Sequence, residues 1–170
     1  MEPDLGVAIV RVVVGLTFAA HGAQKAFGWW GGPGYHGWNG IVGKMGWRPV
    51  AFWAPIAIAA ELIGGLGLAV GLLVPLAAAA LVAQSIVIIR RVHWPAGFWN
   101  TAGGMEYPVV LLACALGLFF TGPGNLSLDA LLPVEALYER EIAWPILGVA
   151  VLGGVAAALW PPPVPVEQHG

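Results

Sequence analysis

The stretch from Val50 to Ile89 constrains this chain more than any other feature, because it carries a single formal charge, Glu61. A transmembrane helix needs about 20 predominantly apolar residues, so the stretch predicts two such helices in succession. The glycine and proline between Gly71 and Pro75 favour a break at that point. Apolar blocks of this length are typical of a membrane protein and not of a water-soluble globule.

Composition and the remaining apolar blocks support a polytopic membrane protein. Hydrophobic residues make up 59% of the chain and charged residues 9%, against about 25% charged residues in ordinary soluble domains. Glu2 and Asp4 precede the first block, whereas a secretory signal starts with positive charge, so we expect that block to remain as a mature helix. The other apolar blocks are Leu5–Phe27, the short Met105–Thr121 and Ile142–Trp160.

These blocks predict an all-α integral membrane protein, with a four-transmembrane-helix bundle and a fifth, C-terminal transmembrane helix. We assign residues 1–132 to the bundle and residues 133–160 to an amphipathic linker and the fifth helix. Residues 161–170 form a proline-rich tail, which we expect to be extended. The loop from Gly28 to Pro49 mixes glycine with aromatic residues, which favours a cap on the end of the bundle over a free linker.

Charge and cysteine content exclude several classes of function. The formal net charge is −2 and the chain has no basic run, so it lacks the positive surface of a nucleic-acid-binding protein. The lone cysteine, Cys114, leaves no intrachain disulfide and no Cys-x-x-Cys redox or zinc unit, and we expect no metal site. The expected partners are membrane lipid and either other protein subunits or further copies of the chain.

Basic residues indicate how the helices are oriented. Antiparallel helices place the loop 28–49, the loop from Arg90 to Met105 and the C-terminus at one end of the bundle, which we call the basic end. The opposite end carries Arg140 beside several carboxylates. The positive-inside rule predicts a cytoplasmic basic end and an external N-terminus. The residues that define the basic end are Lys25, Lys44, Arg48, Arg90 and Arg91.

Seven of the nine tryptophans lie at the basic end, among them Trp29 and Trp30. An aromatic belt that anchors a protein at the lipid headgroups is shared more evenly between the two interfaces. Anchoring still explains most of these residues, but the asymmetry also fits an aromatic platform for a ligand.

Three ionisable residues share one face of the first apolar helix. At about 100° per residue, Arg11, His21 and Lys25 fall within a sector of roughly 80°. When the antiparallel helices are aligned at the basic end, Glu61 lies in depth between His21 and Arg11 and can reach either. A carboxylate inside the bilayer needs such a partner. Two interpretations remain open: a structural ion pair between helices, or a functional polar pocket.

Further ionisable residues lie at the basic end. Arg90 and Arg91 could bind lipid headgroups as readily as a ligand. The carboxylate of Glu106 is favourable at the N-terminus of a helix, which accounts for it without a ligand. Two histidines at this end, His21 and His93, lie on helices that run in the same direction and are candidates for haem ligands. Their unequal depth and the lack of a Cys-x-x-Cys-His site disfavour haem.

Several short motifs follow one another in a fixed order. They are Arg-Val-Val-Val-Gly at 11–15, His-Gly-Ala-Gln-Lys at 21–25, Glu-Leu-Ile-Gly-Gly at 61–65, Val-His at 92–93, Gly-Gly-Met-Glu-Tyr-Pro at 103–108 and Gly-Pro-Gly-Asn-Leu-Ser-Leu-Asp at 122–129. By these motifs the chain resembles the DoxX family of small bacterial and archaeal membrane proteins, from about Val7 to Leu132.

The resemblance implies a four-helix membrane bundle of the plasma (inner) membrane, with charged residues directed inward. Some DoxX proteins belong to a thiosulfate:quinone oxidoreductase, and others resemble partners in complexes linked to thiol and oxidative-stress defence. The inward-facing residues that the resemblance implies are Arg11, His21, Lys25, Glu61, His93 and Glu106.

We therefore expect a quinone-linked oxidoreductase subunit with a polar, tryptophan-capped pocket at the basic end. Hydrogen-bond donors would hold a quinone carbonyl, cations would hold a small sulfur anion such as thiosulfate, and a carboxylate would move the accompanying proton. The candidate catalytic residues are His21, Lys25, Glu61 and Glu106, and the candidate ligand-binding residues are Arg11, Trp29, Trp30, Arg90, Arg91, His93 and Tyr107.

The sequence also leaves a non-enzymatic function open. It contains no flavin motif and no iron–sulfur cysteines, so redox turnover requires direct electron transfer or a partner subunit. A non-catalytic accessory or scaffold subunit needs no electron carrier, and its buried charges would fix helix register. A small-solute transporter is disfavoured, because inverted repeats are missing.

Overall fold

The computed structural model describes residues 3–160, and no strand occurs within that range. Glu2 and the proline-rich tail at 161–170 lie outside the described residues. The α-helices are α1 (Pro3–Phe27), α2 (Gly34–Lys44), α3 (Val50–Val70), α4 (Val74–Ile88), α5 (Glu106–Thr121) and α6 (Arg140–Leu159).

Four helical segments are long and apolar enough to cross a membrane. They are Asp4–Phe27, Val50–Val70, Val74–Ala96 and Arg140–Leu159. The third extends α4 through a π-turn (Ile89–His93) and a 3-10 turn (Trp94–Ala96). The all-helical membrane fold is therefore confirmed, and the C-terminal apolar block is one of its long helices.

α5 is the short member of the bundle, as its sequence predicts, because α4 is extended to Ala96 by the two turns that follow it. The 16 residues of α5 rise about 24 Å at 1.5 Å per residue. It nevertheless carries the chain from the basic end to the opposite end, where the backbone N–H of Asn125 donates to Asp4 Oδ1 at 3.1 Å. α6 then returns, because Trp47 Nε1 at the basic end donates to the Ala157 carbonyl at 3.2 Å. Loop 28–49 and the end of α6 thus share one end, as expected.

α4 lies at the centre of the bundle, in contact with α3, α5 and α6, while α1 packs along α3. Leu81 and Val82 of α4, Leu68 of α3 and Ala115 of α5 are almost fully buried in one apolar core. The outer faces of the helices expose large apolar side chains, which is the pattern that lipid as a solvent selects.

The predicted break between α3 and α4 is confirmed. Gly71 ends α3 in the left-handed conformation, with φ of 71°, which glycine adopts without steric cost. Pro75 stands in the first turn of α4, where its missing N–H breaks no helical hydrogen bond. The carboxylate of Asp129 accepts from the N–H groups of Leu73 and Val74 at 2.7 and 2.9 Å, so it satisfies two donors at the start of α4.

Loop 28–49 contains a helix that the sequence analysis did not predict. α2 buries Trp38 and Val42 on one face and packs on α1 and α3. Trp47, directly after α2, is buried with them. The segment is therefore a packed cap on the basic end, as expected, and it is helical rather than irregular.

Candidate functional site

Glu61 joins three helices inside the bundle. Its side chain on α3 is 1% exposed, and its Oε1 forms an ion pair with Lys25 Nζ of α1. Gln84 Nε2 of α4 donates to the same Oε1 at 3.0 Å. We call these three residues the Glu61 cluster. The other carboxylate oxygen, Oε2, is buried and has no hydrogen-bond partner within residues 3–160.

A cavity of about 380 Å³ lies beside the Glu61 cluster, and we call it the site cavity. Its wall is mostly apolar and comes from α1, α2, α4 and α5, with Glu61 from α3. The polar groups on it are few, as in small-molecule binding sites generally. The lining residues used below are Phe18, His21, Lys25, Trp38, Ile41, Met45, Glu61, Ser85, His93, Tyr107 and Leu111.

Lys25 is held from two sides. Besides its ion pair with Glu61, its Nζ lies 4.4 Å from the ring centroid of Trp38, where the negative face of an indole attracts a cation. Trp38 Nε1 donates to the Ala54 carbonyl at 3.2 Å, which fixes the orientation of the indole. The cap helix α2 thus completes the surroundings of the ammonium group.

Two histidines border the site cavity. His21 is exposed at its opening, with its ring centroid 6.3 Å from that of Tyr107 in an edge-on arrangement. His93 Nδ1 lies 2.7 Å from the Gly103 carbonyl oxygen. A carbonyl oxygen only accepts, so Nδ1 of His93 is the donor in this hydrogen bond.

Arg11 lies away from the Glu61 cluster. The expectation that Glu61 lies in depth between Arg11 and His21 and reaches one of them is wrong. Arg11 is 2% exposed and its Nη1 donates to the carbonyls of Leu68 and Ala69 at 3.1 and 2.7 Å, in the last turn of α3. Unpaired carbonyls at a helix C-terminus attract a cation. The partner of Glu61 does come from α1, but it is Lys25.

The remaining candidate residues lie outside the site cavity. Glu106 Oε2 accepts from the backbone N–H of Asn100 at 3.0 Å, within the turn before α5. Trp29 and Trp30 are 54% and 70% exposed, and they pack on each other with their ring centroids 5.5 Å apart.

The two arginines after α4 also lie apart from the site cavity. Arg90 is exposed. Arg91 donates to the Met45 carbonyl and lies 5.3 Å from the ring centroid of Trp47, so it ties the end of α4 to the cap. Of the candidates, the structure brings together His21, Lys25, Glu61, His93 and Tyr107.

The sequence analysis missed two residues of the site. Gln84 and its neighbour Ser85 are the polar residues in an otherwise apolar α4. A buried amide is a signal that a search restricted to ionisable residues overlooks. Trp38 is one of many tryptophans near the basic end. Its burial follows from α2, and Trp38 and Val42 are four residues apart, which is the spacing of a helix face.

A second cavity, of about 390 Å³, adjoins the site cavity. It lies between α2, α3, α4 and α6 and is lined almost entirely by apolar groups such as Trp47 and Trp53. The two cavities share Trp38, Met45, Ile88 and Val92. Gln84 lines the second cavity while its amide binds Glu61, so the Glu61 cluster stands between them.

Residues 6–94, slightly more than half of the 170, match the family model described as DoxX. The chain belongs to the DoxX family. The match covers α1 to α4 and includes the whole Glu61 cluster. Together with its apolar helices, membership makes this DoxX protein a multi-pass membrane protein. No curated protein and no solved structure matches the chain.

Residues beyond the matched segment complete the site of this DoxX protein. The match ends at residue 94, whereas Tyr107 and Leu111 of α5 line the site cavity. Among the described residues, no group of three His, Cys, Asp or Glu side chains is placed to hold a metal ion. What the arrangement offers chemically is a buried ion pair, a free carboxylate oxygen and an apolar enclosure.

Proposed function

We propose that this DoxX protein is a quinone-linked oxidoreductase subunit and holds a quinone headgroup in the site cavity. The observation that carries the proposal is the Glu61 cluster, a buried ion pair that borders a ring-sized apolar cavity. Ionisable groups inside the membrane are costly and mark functional sites by default. Lys25 and Glu61 both line that cavity, so the ion pair brings charged groups to the place where a ligand would lie.

The lining residues fit such a ligand. Phe18, Trp38 and Leu111 supply apolar and aromatic surface for a planar ring. His21 and Tyr107 stand at the opening, where they could contact ring substituents. The cavity volume of about 380 Å³ lies within the range of roughly 300–1,000 Å³ usual for small-molecule sites.

The chain's own residues would manage protons and exclude water. A bound quinone supplies a two-electron, two-proton acceptor. Glu61 can hold a proton on Oε2, and Lys25 stabilises the carboxylate once the proton leaves. Trp38, Ile41 and Met45 from the cap line the same cavity and shield it from bulk water. The electrons would come from a partner subunit.

Binding is tested on the purified full-length protein in detergent. We expect quinone in its lipid extract and saturable binding of a short-chain quinone. Ile41→Trp, which fills the site cavity, should abolish that binding. Ile63→Trp is the matched control, because Ile63 of α3 is exposed on the outer surface. Equal binding by both variants would contradict the proposal.

A second candidate function is a non-catalytic scaffold subunit. It is favoured by the exposed Trp29 and Trp30, which together form an aromatic surface beside the cap, and by the way the Glu61 cluster ties α1, α3 and α4 together. A stoichiometric protein partner, lost in Trp29→Ala/Trp30→Ala and retained in Ile41→Trp, with no bound small molecule, would establish this function instead.

The proposed location is the plasma membrane of a bacterium or archaeon, with the basic end in the cytoplasm and the N-terminus outside. The charge asymmetry between Lys44, Arg48 and Arg90 at one end and Glu135 and Glu139 at the other supports it. In a Cys114→Ser background, a cysteine at Glu139 should react with an impermeant thiol reagent in intact cells, and a cysteine at Lys44 should react after lysis. The reverse pattern would invert the topology.

A further inference from the structure

The second cavity is a gap between α3 and α6, which both pack on α4. Small side chains from these three helices border it, so the gap is left unfilled. α6 lies beyond the segment that matches the DoxX family, and the matched segment therefore does not enclose this cavity by itself. The small residues on the wall are Ala57, Ala60, Ala80, Ala83, Gly153, Gly154 and Ala157.

The wall of the second cavity offers a ligand mainly hydrocarbon and aromatic surface. Each of its three indoles donates its N–H to a backbone carbonyl, Trp38 and Trp47 at 3.2 Å and Trp53 at 3.3 Å. The remaining polar side chain, Gln84, donates to Glu61. No charged side chain of residues 3–160 lines the cavity. An apolar ligand thus gains burial there without stripping water from unpaired polar groups.

The second cavity opens on the outer surface of the bundle. Phe52 and Ile56 of α3 line it and are exposed, and so is Gly153 of α6 on the other side. The outer surface of membrane-spanning helices is in contact with lipid chains. A hydrocarbon chain therefore enters this cavity from the bilayer without crossing water.

The second cavity and the site cavity lie side by side under the cap. Trp38 and Met45 of the cap, and Ile88 and Val92 near the end of α4, border both of them. Met45 is unbranched, and such a side chain adapts to what it packs against. A ring bound in the site cavity thus has the second cavity as its apolar neighbour.

From this arrangement we propose that the second cavity holds the hydrocarbon chain of the quinone whose headgroup lies in the site cavity. The inference rests on the proposed function and specifies the ligand as a lipid-soluble quinone with an isoprenoid side chain. A phospholipid needs a cation for its phosphate, and none of the described residues on this wall is charged. α6 then takes part in ligand binding through the chain.

Ala60→Leu tests the inference, because Ala60 lines the second cavity and does not line the site cavity. The larger side chain takes up space that the hydrocarbon chain needs. Ala59→Leu is the matched control, since Ala59 is the adjacent residue of α3, is also half-buried and lines neither cavity. Ile41 lines the site cavity alone, so Ile41→Trp and Ala60→Leu act on different parts of the ligand.

Gly153→Leu fills the same cavity from α6. A Cβ atom on Gly153 meets no atom within 4 Å, so the new side chain is not obstructed at its base. Gly148→Leu, on the same helix, is equally unobstructed and lines neither cavity, which makes it the control. This pair tests the inference even if Ala60→Leu does not fold.

The experiment is equilibrium dialysis of the purified full-length protein at one fixed detergent concentration. The probes are trimethyl-1,4-benzoquinone and the same quinone with a geranyl chain. We expect Ala60→Leu and Gly153→Leu to bind the geranyl quinone about tenfold more weakly than their controls do, which corresponds to about 1.4 kcal/mol. Both variants and both controls should bind the chain-free quinone as the unaltered protein does. Partition of a probe into detergent is the same for a variant and its control, so it cancels from the comparison.

The outcomes separate this inference from the proposed function. Equal binding of the geranyl quinone by each variant and its control, or an equal loss of affinity for the chain-free quinone, would overturn the inference. Loss of co-purified phospholipid from Ala60→Leu, with quinone binding unchanged, would overturn it as well. Chain-free quinone binding that Ile41→Trp abolishes would leave the proposed function standing in those cases. If neither probe binds in a manner sensitive to Ile41→Trp, both fail.

Discussion

Gly15 of α1 and Gly65 of α3 face each other so closely that neither position has room for a side chain. A Cβ atom on Gly15 would lie 2.6 Å from the Gly65 carbonyl oxygen, and one on Gly65 would lie 2.7 Å from the Gly15 carbonyl oxygen. Both distances are well below van der Waals contact, and the obstructing atoms belong to the backbone. This contact sets the separation of the two helices that carry Lys25 and Glu61.

Gly65→Ala should therefore separate α1 from α3 and destabilise the bundle by about 1–3 kcal/mol, the usual cost of overpacking. Gly117→Ala in α5 is the control, because no atom lies within 4 Å of a Cβ at that position, and its effect should stay within about 0.5 kcal/mol. Unfolding of both variants in the same detergent measures the difference. Equal stability of the two would show that the close contact is not needed.

Lys25→Met should leave the carboxylate of Glu61 buried without its counter-ion. Breaking a buried ion pair by removing one partner costs about 3–5 kcal/mol, whereas replacing both partners by apolar residues is often neutral. The double variant Lys25→Met/Glu61→Met should thus be more stable than Lys25→Met alone. Lys44→Met, at an exposed position of α2, is the control for losing a lysine. The measurement is a double-mutant cycle of unfolding free energies in detergent. If the effects of Lys25→Met and Glu61→Met simply add, the two side chains are not coupled and the prediction is contradicted.

Asp129→Ala should remove the carboxylate that accepts from the N–H groups of Leu73 and Val74 and from the hydroxyl of Tyr138. Loss of a helix-capping carboxylate together with a buried acceptor costs about 1–3 kcal/mol. Glu135→Ala, at an exposed position nearby, serves as the matched control. The midpoint of thermal unfolding should fall in Asp129→Ala and stay near that of the unaltered protein in Glu135→Ala. An unchanged midpoint in Asp129→Ala would show that this carboxylate does not stabilise the start of α4.

Tyr138 should make stability fall at alkaline pH. Burial, and after it the hydrogen bond to Asp129, raises the pKa of Tyr138 above its ordinary value of 10.0. The unfolded chain therefore loses the phenolic proton at lower pH than the folded chain does. The contribution is complete below pH 10 and is lost as the pH rises beyond it.

The midpoint of thermal unfolding, followed from about pH 8 to pH 11 across the ordinary tyrosine pKa, tests this expectation. Tyr138→Phe should flatten the decline, and Tyr35→Phe, at an exposed position of α2, should not. An unchanged slope in Tyr138→Phe would mean that another group causes the decline.

Hydropathy alone located the long helices, because lipid demands apolar side chains over a fixed length. It missed α2, whose four glycines have low helix propensity and whose stability depends on burying Trp38 and Val42 against α1 and α3. The close helix contacts were also only partly predictable. Gly64 and Gly67 face Ala77 of α4, whereas Gly65, next to Gly64 in the sequence, faces α1.

The site was predictable in outline but not in register. Aligning the helices by their ends placed Glu61 in depth between His21 and Arg11. In the structure a Cβ on Gly22 would lie 2.5 Å from the Leu62 nitrogen, so close backbone contacts, and not helix ends, fix the alignment. That register brings Lys25 within reach of Glu61. Hydropathy periodicity contains no such information, because glycine contacts depend on both helices at once.

The brevity of α5 has a consequence for the surrounding bilayer. A rise of about 24 Å is some 6 Å less than the usual hydrocarbon thickness of about 30 Å. Lipids along this helix must compress, or headgroups and water must descend towards Tyr107 and the opening that it shares with His21. The acyl-chain length of the lipid thus determines how strongly the bilayer is deformed at α5. Shorter-chain lipids should relieve the mismatch that longer ones impose.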